Sequence, residues 1–400
     1  MDERYEQRLA LPFFDEQHRE LARELDAWCA SQEPLDEVDV DAATREWVRR
    51  LGSGGWLRHA VPQRWGGVRA ELDSRTLCII RETLAYHDGL ADFAFAMQGL
   101  GSGAISLDGN DELRDTWLPK VARGEAIAAF ALSEPDAGSD VGSMSTSAVR
   151  DENDWTIDGT KTWISNGGIA DFYCVFARTD AASTGARGID AFVVPSSTAG
   201  LEISERIDVM SPHPLAELKF NACRVAESHR LGASGQGFKL AMRTLDIFRV
   251  SVAAAALGFA RRALHETLTH AATRPMLGTT LSQQPLATAM MGDMMTEFDA
   301  AALLTARAAW LRDVHGKRAT AEAAMAKLAA TEWGSRIVDR GVQLHGARGV
   351  RVGATVEKLY REIRALRIYE GASEVQRLIV GREAFAPFAN ERNVPRVSVP

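Results

Sequence analysis

The period of hydrophobic and polar positions changes twice along the chain. From about residue 10 to 125 it is helical: Phe14, His18, Leu21, Leu25 and Trp28 recur at three and four, and Glu16, Glu20, Arg23 and Asp26 fill the other face. The glycine-rich stretch 52–55 and the turn cluster Pro62-Gln-Arg-Trp-Gly-Gly67 interrupt it, and further helices are expected over 73–88 and 90–106. Near Ala126 the period shortens. Apolar runs at 127–132, 155–157, 160–164, 172–176 and 189–194 are bounded by Asp158-Gly159, Asn166-Gly167-Gly168, Gly185–Gly188 and Pro195-Ser196-Ser197, which predicts a small antiparallel β-domain ending near Gly237. From Phe238 the pattern is helical again, in Ala-rich segments over 238–271, 283–315 and 319–345, with turns at Pro275, Gly278 and Gly316. Long helices with short loops and apolar Ala/Leu/Met faces read as an antiparallel bundle. The expected fold class is α+β, mostly α: an N-terminal helical domain (1–126), a middle β-domain (127–237), a C-terminal helical bundle (238–390) and a loose tail (391–400).

Composition narrows the class. With 400 residues, 46% hydrophobic and 25% charged, the chain can build sizeable cores as a globular protein. The net charge of −8 argues against nucleic-acid binding, and no basic run stands out. Cys29, Cys78, Cys174 and Cys223 are far apart and form no CxxC, which argues against a disulfide framework or zinc site. No apolar run reaches the length of a membrane span, and Met1-Asp2-Glu3-Arg4 lacks the apolar core of a signal peptide, so a cytoplasmic location is expected.

Candidate chemistry centres on Arg367-Ile-Tyr-Glu-Gly-Ala-Ser-Glu-Val-Gln-Arg377. Ser373 with Gln376 three residues on reads as a capping box opening a helix, so Glu370 falls on a short anchored turn. Beside Tyr369 and Ile368 a carboxylate is partly desolvated, which raises its pKa and suits it to act as a general base. A second stretch, Ala131 to Ser143, is a strand end followed by a loop of small and hydroxyl residues that offers N–H and O–H donors to an anion or polar ring edge. Gly99–Ala104 superficially fits a dinucleotide fingerprint, but no strand precedes it, and small residues for close helix packing account for it better. His265-Glu266 with His270 is not HExxH spacing, and Met290, Met291, Met294 and Met295 read as helix packing.

Ile-Tyr-Glu-Gly-x-Ser-Glu-x-Gln-Arg resembles the catalytic segment of the acyl-CoA dehydrogenases, and Ala131–Ser143 resembles that family's first signature. The resemblance covers about residues 10 to 385 and shares the helix–β–helix plan. It implies an FAD-dependent enzyme that oxidises an acyl-CoA thioester to a trans-2-enoyl-CoA. Glu370 would take the α-proton, a hydride would pass to flavin N5, and electrons would go on to an electron-transfer flavoprotein. It places Phe130, Leu132, Ser133, Gly138, Ser139, Trp163 and Ser165 at the flavin, with Arg274, Gln343, Gly346 and Glu374 also binding flavin, Arg274 that of a neighbouring subunit in a homotetramer or dimer. It places Ser139, Phe95, Met97, Asp246, Arg249, Tyr369 and Gly371 at the substrate, and the bulk of Phe93, Phe95, Met97 and Leu100 hints at a short, branched or cyclic acyl group. A subset of the family carries its base just before the helical Arg, where this chain has Phe248. Leu277, Ala347, Gly353 and Ala372 depart from the family pattern at flavin-contacting segments. The alternatives are a carrier-protein thioester dehydrogenase or flavin oxidase of the same fold, and a non-catalytic flavin or acyl-CoA binding protein.

Overall fold

The computed structural model describes residues 3–316 and 318–389; the expected loose tail lies outside them. Helices α1 (Glu3–Leu9), α2 (Glu16–Ala30), α3 (Val40–Ser53), α4 (Ser74–His87), α5 (Gly89–Asp108) and α6 (Asp111–Arg123) come first. Strands β1 (Ala128–Ala131), β2 (Ser147–Asp151), β3 (Asp154–Ser165), β4 (Phe172–Arg178), β5 (Ile189–Pro195), β6 (Leu201–Arg206), β7 (Leu215–Ala226) and β8 (Arg230–Leu231) follow. The rest is α7 (Gly237–Thr273), the small hairpin β9 (Pro275–Met276) and β10 (Thr279–Thr280), then α8 (Pro285–His315), α9 (Thr320–His345), α10 (Thr355–Ala365) and α11 (Ser373–Ala389). The helix–β–helix order is the one the periodicity predicts. No helix among the described residues is long and apolar enough to cross a membrane.

The described residues pack as two compact units, one of 34–73 and 93–248, the other of 3–33, 74–92 and 249–389. The first holds an eight-stranded sheet in the order β6-β7-β3-β2-β4-β5-β8, with β1 paired to β4. Most pairings are antiparallel, as expected, but β1 runs parallel to β4, in register from Ala128↔Phe172 to Ala131↔Val175. A parallel neighbour needs a long crossover, and here β2 and β3 supply it. Strands β4 and β5 are buried along nearly their whole length, so they read as continuous apolar runs rather than alternating ones. Phe172, Cys174, Phe176, Ile189 and Val193 share a core with Ile105, Leu118 and Val121 of α5 and α6. In the Gly99–Ala104 stretch, a Cβ on Gly99 would lie 2.5 Å from the Phe248 ring and one on Gly101 2.7 Å from Ala128, so close packing requires glycine there.

The second unit is a helical bundle with an alanine-rich seam. Ala256, Ala260 and Ala263 of α7 share a core with Ala301, Ala302 and Ala308 of α8 and Ala326, Ala330 and Ile337 of α9. Met294 is fully buried in this core, and Met290, Met291 and Met295 pack against it. Between α10 and α11 the chain makes the turn that carries Glu370.

Candidate active site

The Glu370 turn is held by bonds that the capping-box reading does not contain. Ser373 is the first residue of α11 rather than its cap, and its hydroxyl donates to Glu332 Oε1 of α9 at 2.5 Å. Arg367 Nε donates to the same oxygen at 2.9 Å, so Glu332 staples both ends of the turn to α9. Gln376 reaches back with its side chain: Nε2 donates to the Gly371 carbonyl at 2.9 Å, which Lys327 Nζ also engages at 2.7 Å. Spacing does not specify this bond, because a hydroxyl's choice between its own helix end and a distant carboxylate is tertiary. Within this frame Glu370 takes a left-handed backbone, φ +49, and Gly371 follows at φ +93. A left-handed non-glycine residue is uncommon and persists where the surroundings over-determine it.

The electrostatics around Glu370 are unusual. Its Oε2 is sealed from solvent and accepts no hydrogen bond from any described residue. Burial raises its pKa above the ordinary carboxylate range, while the charges of Arg81, Lys327 and Arg249 pull the other way. Arg81 is bound bidentately to Asp92, with Nε and Nη2 each at 2.8 Å from a carboxylate oxygen, and its Nη1 donates to Ser251 at 3.2 Å. Burial pushes Lys327 down to about 8, against the opposing charge of Glu370. The backbone N–H groups of Glu370 and Gly371 donate to no described residue, which leaves donors at the turn. Arg249 is buried, and burial also raises the Tyr369 phenol. Sequence reasoning missed Arg81, Asp92 and Lys327. The available signal was a lone charge inside an apolar helical run, such as Lys327 among Ala323, Ala324, Ala326, Ala329 and Ala330.

In the other unit the expected flavin-edge residues cluster around the end of β1. Glu134 is buried and its carboxylate accepts from Ser145 N at 2.6 Å, Ser145 Oγ at 2.8 Å, Thr146 N at 3.0 Å and Lys161 Nζ at 2.7 Å. Burial would raise its pKa, but Lys161 and these donors hold it down to about 2. Lys161 also donates to the Leu132 carbonyl at 3.0 Å, and Thr162 N to the Ser133 carbonyl at 3.0 Å, which ties β3 to the loop after β1. A register shift in β3 between Lys161 and Ile164 leaves Trp163 at φ +59 and 58% exposed. Such a bulge re-aims a side chain, here out of the sheet. Gly138 and Ser139 are exposed, and a Cβ on Gly138 would meet nothing within 4 Å. The half-buried Ser133 and Ser165 hydroxyls are engaged by no other described residue. Phe130 packs on Phe176. An open loop, unengaged hydroxyls and a strained, exposed indole together fit a flavin ring and its pyrophosphate.

Arg274, Gln343, Gly346 and Glu374 are exposed. Arg274 opens the β9–β10 hairpin, whose tip is Leu277 (φ +48) and Gly278. His270 stacks on His345 at 4.3 Å, and His345, Arg348 and Arg274 all add positive potential at His270. Arg274 and the 343–348 segment therefore share one basic cluster, distinct from the groups around Glu370. Phe95 and Met97 are buried in α5, and Asp246 is half-buried on α7. Phe248 is buried and carries no proton acceptor.

The chain matches family models described as acyl-CoA dehydrogenase N-terminal domain over 15–125, middle domain over 129–223 and C-terminal domain over 235–385. It is 37% identical over 92% of its length to the 3-(aryl)acrylate reductase of Clostridium sporogenes, covering 98% of that protein. It is 38% identical over 83% of its length to the human mitochondrial short-chain specific acyl-CoA dehydrogenase, covering 81% of it. It is 34% identical over 92% of its length to the caffeyl-CoA reductase-Etf complex subunit CarC of Acetobacterium woodii, covering 98% of it. Butyryl-CoA dehydrogenase from Megasphaera elsdenii superposes with a TM-score of 0.83 at 28% identity, over 92% of this chain and 97% of that one. A glutaryl-CoA dehydrogenase from Mycobacterium smegmatis in complex with FADH2 gives 0.83 at 26% identity, over 96% and 97%.

Proposed function

Because the chain belongs to the acyl-CoA dehydrogenase family of FAD-dependent oxidoreductases, we propose that it converts an acyl-CoA thioester to the trans-2-enoyl thioester with Glu370 as the base. The observation that carries this reading is the state of Glu370: a left-handed turn, a sealed Oε2 that accepts no hydrogen bond from any described residue, and a pKa raised by burial. A carboxylate whose pKa is raised is, once ionised, the stronger proton acceptor. The nearby charges of Arg81, Lys327 and Arg249 keep its ionised form accessible. The N–H of Glu370, which donates to no described residue, would donate to the thioester carbonyl as charge develops on its oxygen. Phe130, Leu132, Ser133, Gly138, Ser139, Trp163 and Ser165 would hold FAD, with Arg274, Gln343, Gly346 and Glu374 also contributing, Arg274 across a homo-oligomer. When bound, FAD supplies the hydride acceptor. Ser139, Phe95, Met97, Asp246, Arg249, Tyr369 and Gly371 would receive the acyl-CoA. The likeness to a subunit named for an Etf complex supports electron-transfer flavoprotein as redox partner.

A second reading is favoured by the relatives named as reductases. In it Glu370, protonated, would give its proton to the α-carbon of an enoyl thioester whose β-carbon takes the hydride that reduced flavin would supply. A panel of acyl-CoAs and enoyl-CoAs mixed anaerobically with the purified protein separates the two. Bleaching of the oxidised flavin by a saturated acyl-CoA supports dehydrogenation. Reoxidation of the reduced flavin by enoyl-CoAs alone supports reduction, and no flavin change with either class contradicts both.

A further inference from the structure

We propose that Lys327 is a positioning residue for this reaction: it anchors the Glu370–Gly371 turn through the Gly371 carbonyl and supplies part of the positive charge that keeps Glu370 able to accept a proton. The proposal rests on the reading of Glu370 as the proton-transferring group. Lys327 is fully buried on the alanine seam of α9, where an apolar side chain would satisfy the packing. Burying an ammonium is unfavourable unless its charge and donors are used. Its Nζ lies 2.7 Å from the Gly371 carbonyl oxygen, and Gln376 Nε2 lies 2.9 Å from the same oxygen. That carbonyl follows the left-handed Glu370, so the paired donors fix the peptide that aims the carboxylate.

The charged neighbours of Glu370 differ in what else they contact. Arg81 of α4 also pulls on Glu370, but its bidentate contact with Asp92 of α5, whose charge pushes the other way, offsets part of that pull. Glu332 of α9 is occupied by Arg367 and Ser373. Lys327 bonds a neutral carbonyl, so its field is not cancelled at contact and acts on Glu370. The charged groups facing Glu370 are Arg81, Lys327, Arg249 of α7 and Asp92; those facing Lys327 are Glu370, Arg249, Glu332 and Glu374 of α11.

The test titrates Glu370 in the purified holoenzyme by infrared difference spectroscopy, with Glu370→Gln identifying its carboxyl band. In parallel, the pH dependence of anaerobic flavin bleaching is measured with the best acyl-CoA of the panel. In Lys327→Met, which keeps the length of the side chain, the midpoint and the acidic limb should both rise by about one pH unit, since a nearby opposite charge lowers a carboxyl pKa by about that much or more. Lys327→Arg, which keeps the cation, should leave both where the wild type has them. Should the Met variant misfold, Lys327→Gln is read in the same way. A midpoint unmoved in the neutral variants, or moved as far in Lys327→Arg as in Lys327→Met, overturns the proposal. Bleaching of Glu370→Gln at the wild-type rate overturns the reading of the base instead. An inert Glu370→Gln with an unmoved midpoint overturns this proposal alone.

Discussion

Glu134 and Glu370 each carry a buried or sealed carboxylate, and each has a buried lysine nearby whose pKa is pushed down to about 8. They are wired in opposite ways. Glu134 meets its lysine at 2.7 Å and fills its remaining lone pairs with Ser145 and Thr146 donors, so its pKa is held at about 2. Glu370 does not take its lysine as a hydrogen-bond partner; Lys327 goes to the next peptide's carbonyl, and the sealed Oε2 accepts no hydrogen bond from any described residue. Its pKa is raised instead. The difference teaches that burial alone does not make a carboxylate reactive. A saturated one is a structural tie, and an unsatisfied one keeps its lone pairs for another partner.

The comparison can be broken first by kinetics. Glu370→Gln should lower the flavin-bleaching rate by ~10²–10⁴-fold or more, the usual cost of losing a general base, with FAD content unchanged. Lys161→Met should do the reverse. It leaves the Glu134 charge buried without its partner and should cost about 3–5 kcal/mol in urea unfolding, with loss of FAD, while turnover per bound flavin changes little. Stability against pH sharpens the contrast, because the signs differ. The folded pKa of Glu134 lies below its ordinary 4.5, so its contribution is present above that value and is lost as pH falls toward about 2. The folded pKa of Glu370 lies above the ordinary value, so its contribution is present at low pH and is lost as pH rises through the folded pKa. Unfolding curves over this range should therefore lose opposite slopes in Glu134→Gln and Glu370→Gln. The smallest stability effect is expected from Trp163→Ala. The residue is 58% exposed, so stability should move by no more than about 0.5 kcal/mol, and weaker FAD binding by fluorescence titration should be the main change.

The helices of the bundle and the β-rich middle were legible because their periods are long and undisturbed. Helix α8 begins at Pro285 and ends at the left-handed Gly316, close to where the pattern places it. The Tyr369-Glu370-Gly371 turn was legible as a motif, but its anchorage was not. Ser373 and Gln376 suit a cap by spacing, yet the hydroxyl goes to Glu332, which is adjacent only after α9 and α11 have packed. Lys327 escaped notice for a related reason. In an Ala-rich helix a lysine reads as solvated, and its partner is a backbone carbonyl that leaves no mark in a side-chain pattern. The Arg81–Asp92 pair looks like scattered charge until α4 and α5 bring the residues together. The parallel placement of β1 beside β4 and the bulge that turns Trp163 outward are likewise products of register, which alternation does not specify.

The central claim is that Glu370, unlike Glu134, is free to move a proton. It is tested most directly by anaerobic stopped-flow mixing of Glu370→Gln holoenzyme with the best acyl-CoA of the panel. The variant should bind the thioester and shift the flavin spectrum without bleaching at the wild-type rate. Bleaching as fast as the wild type would show that another group takes the proton and would contradict the account.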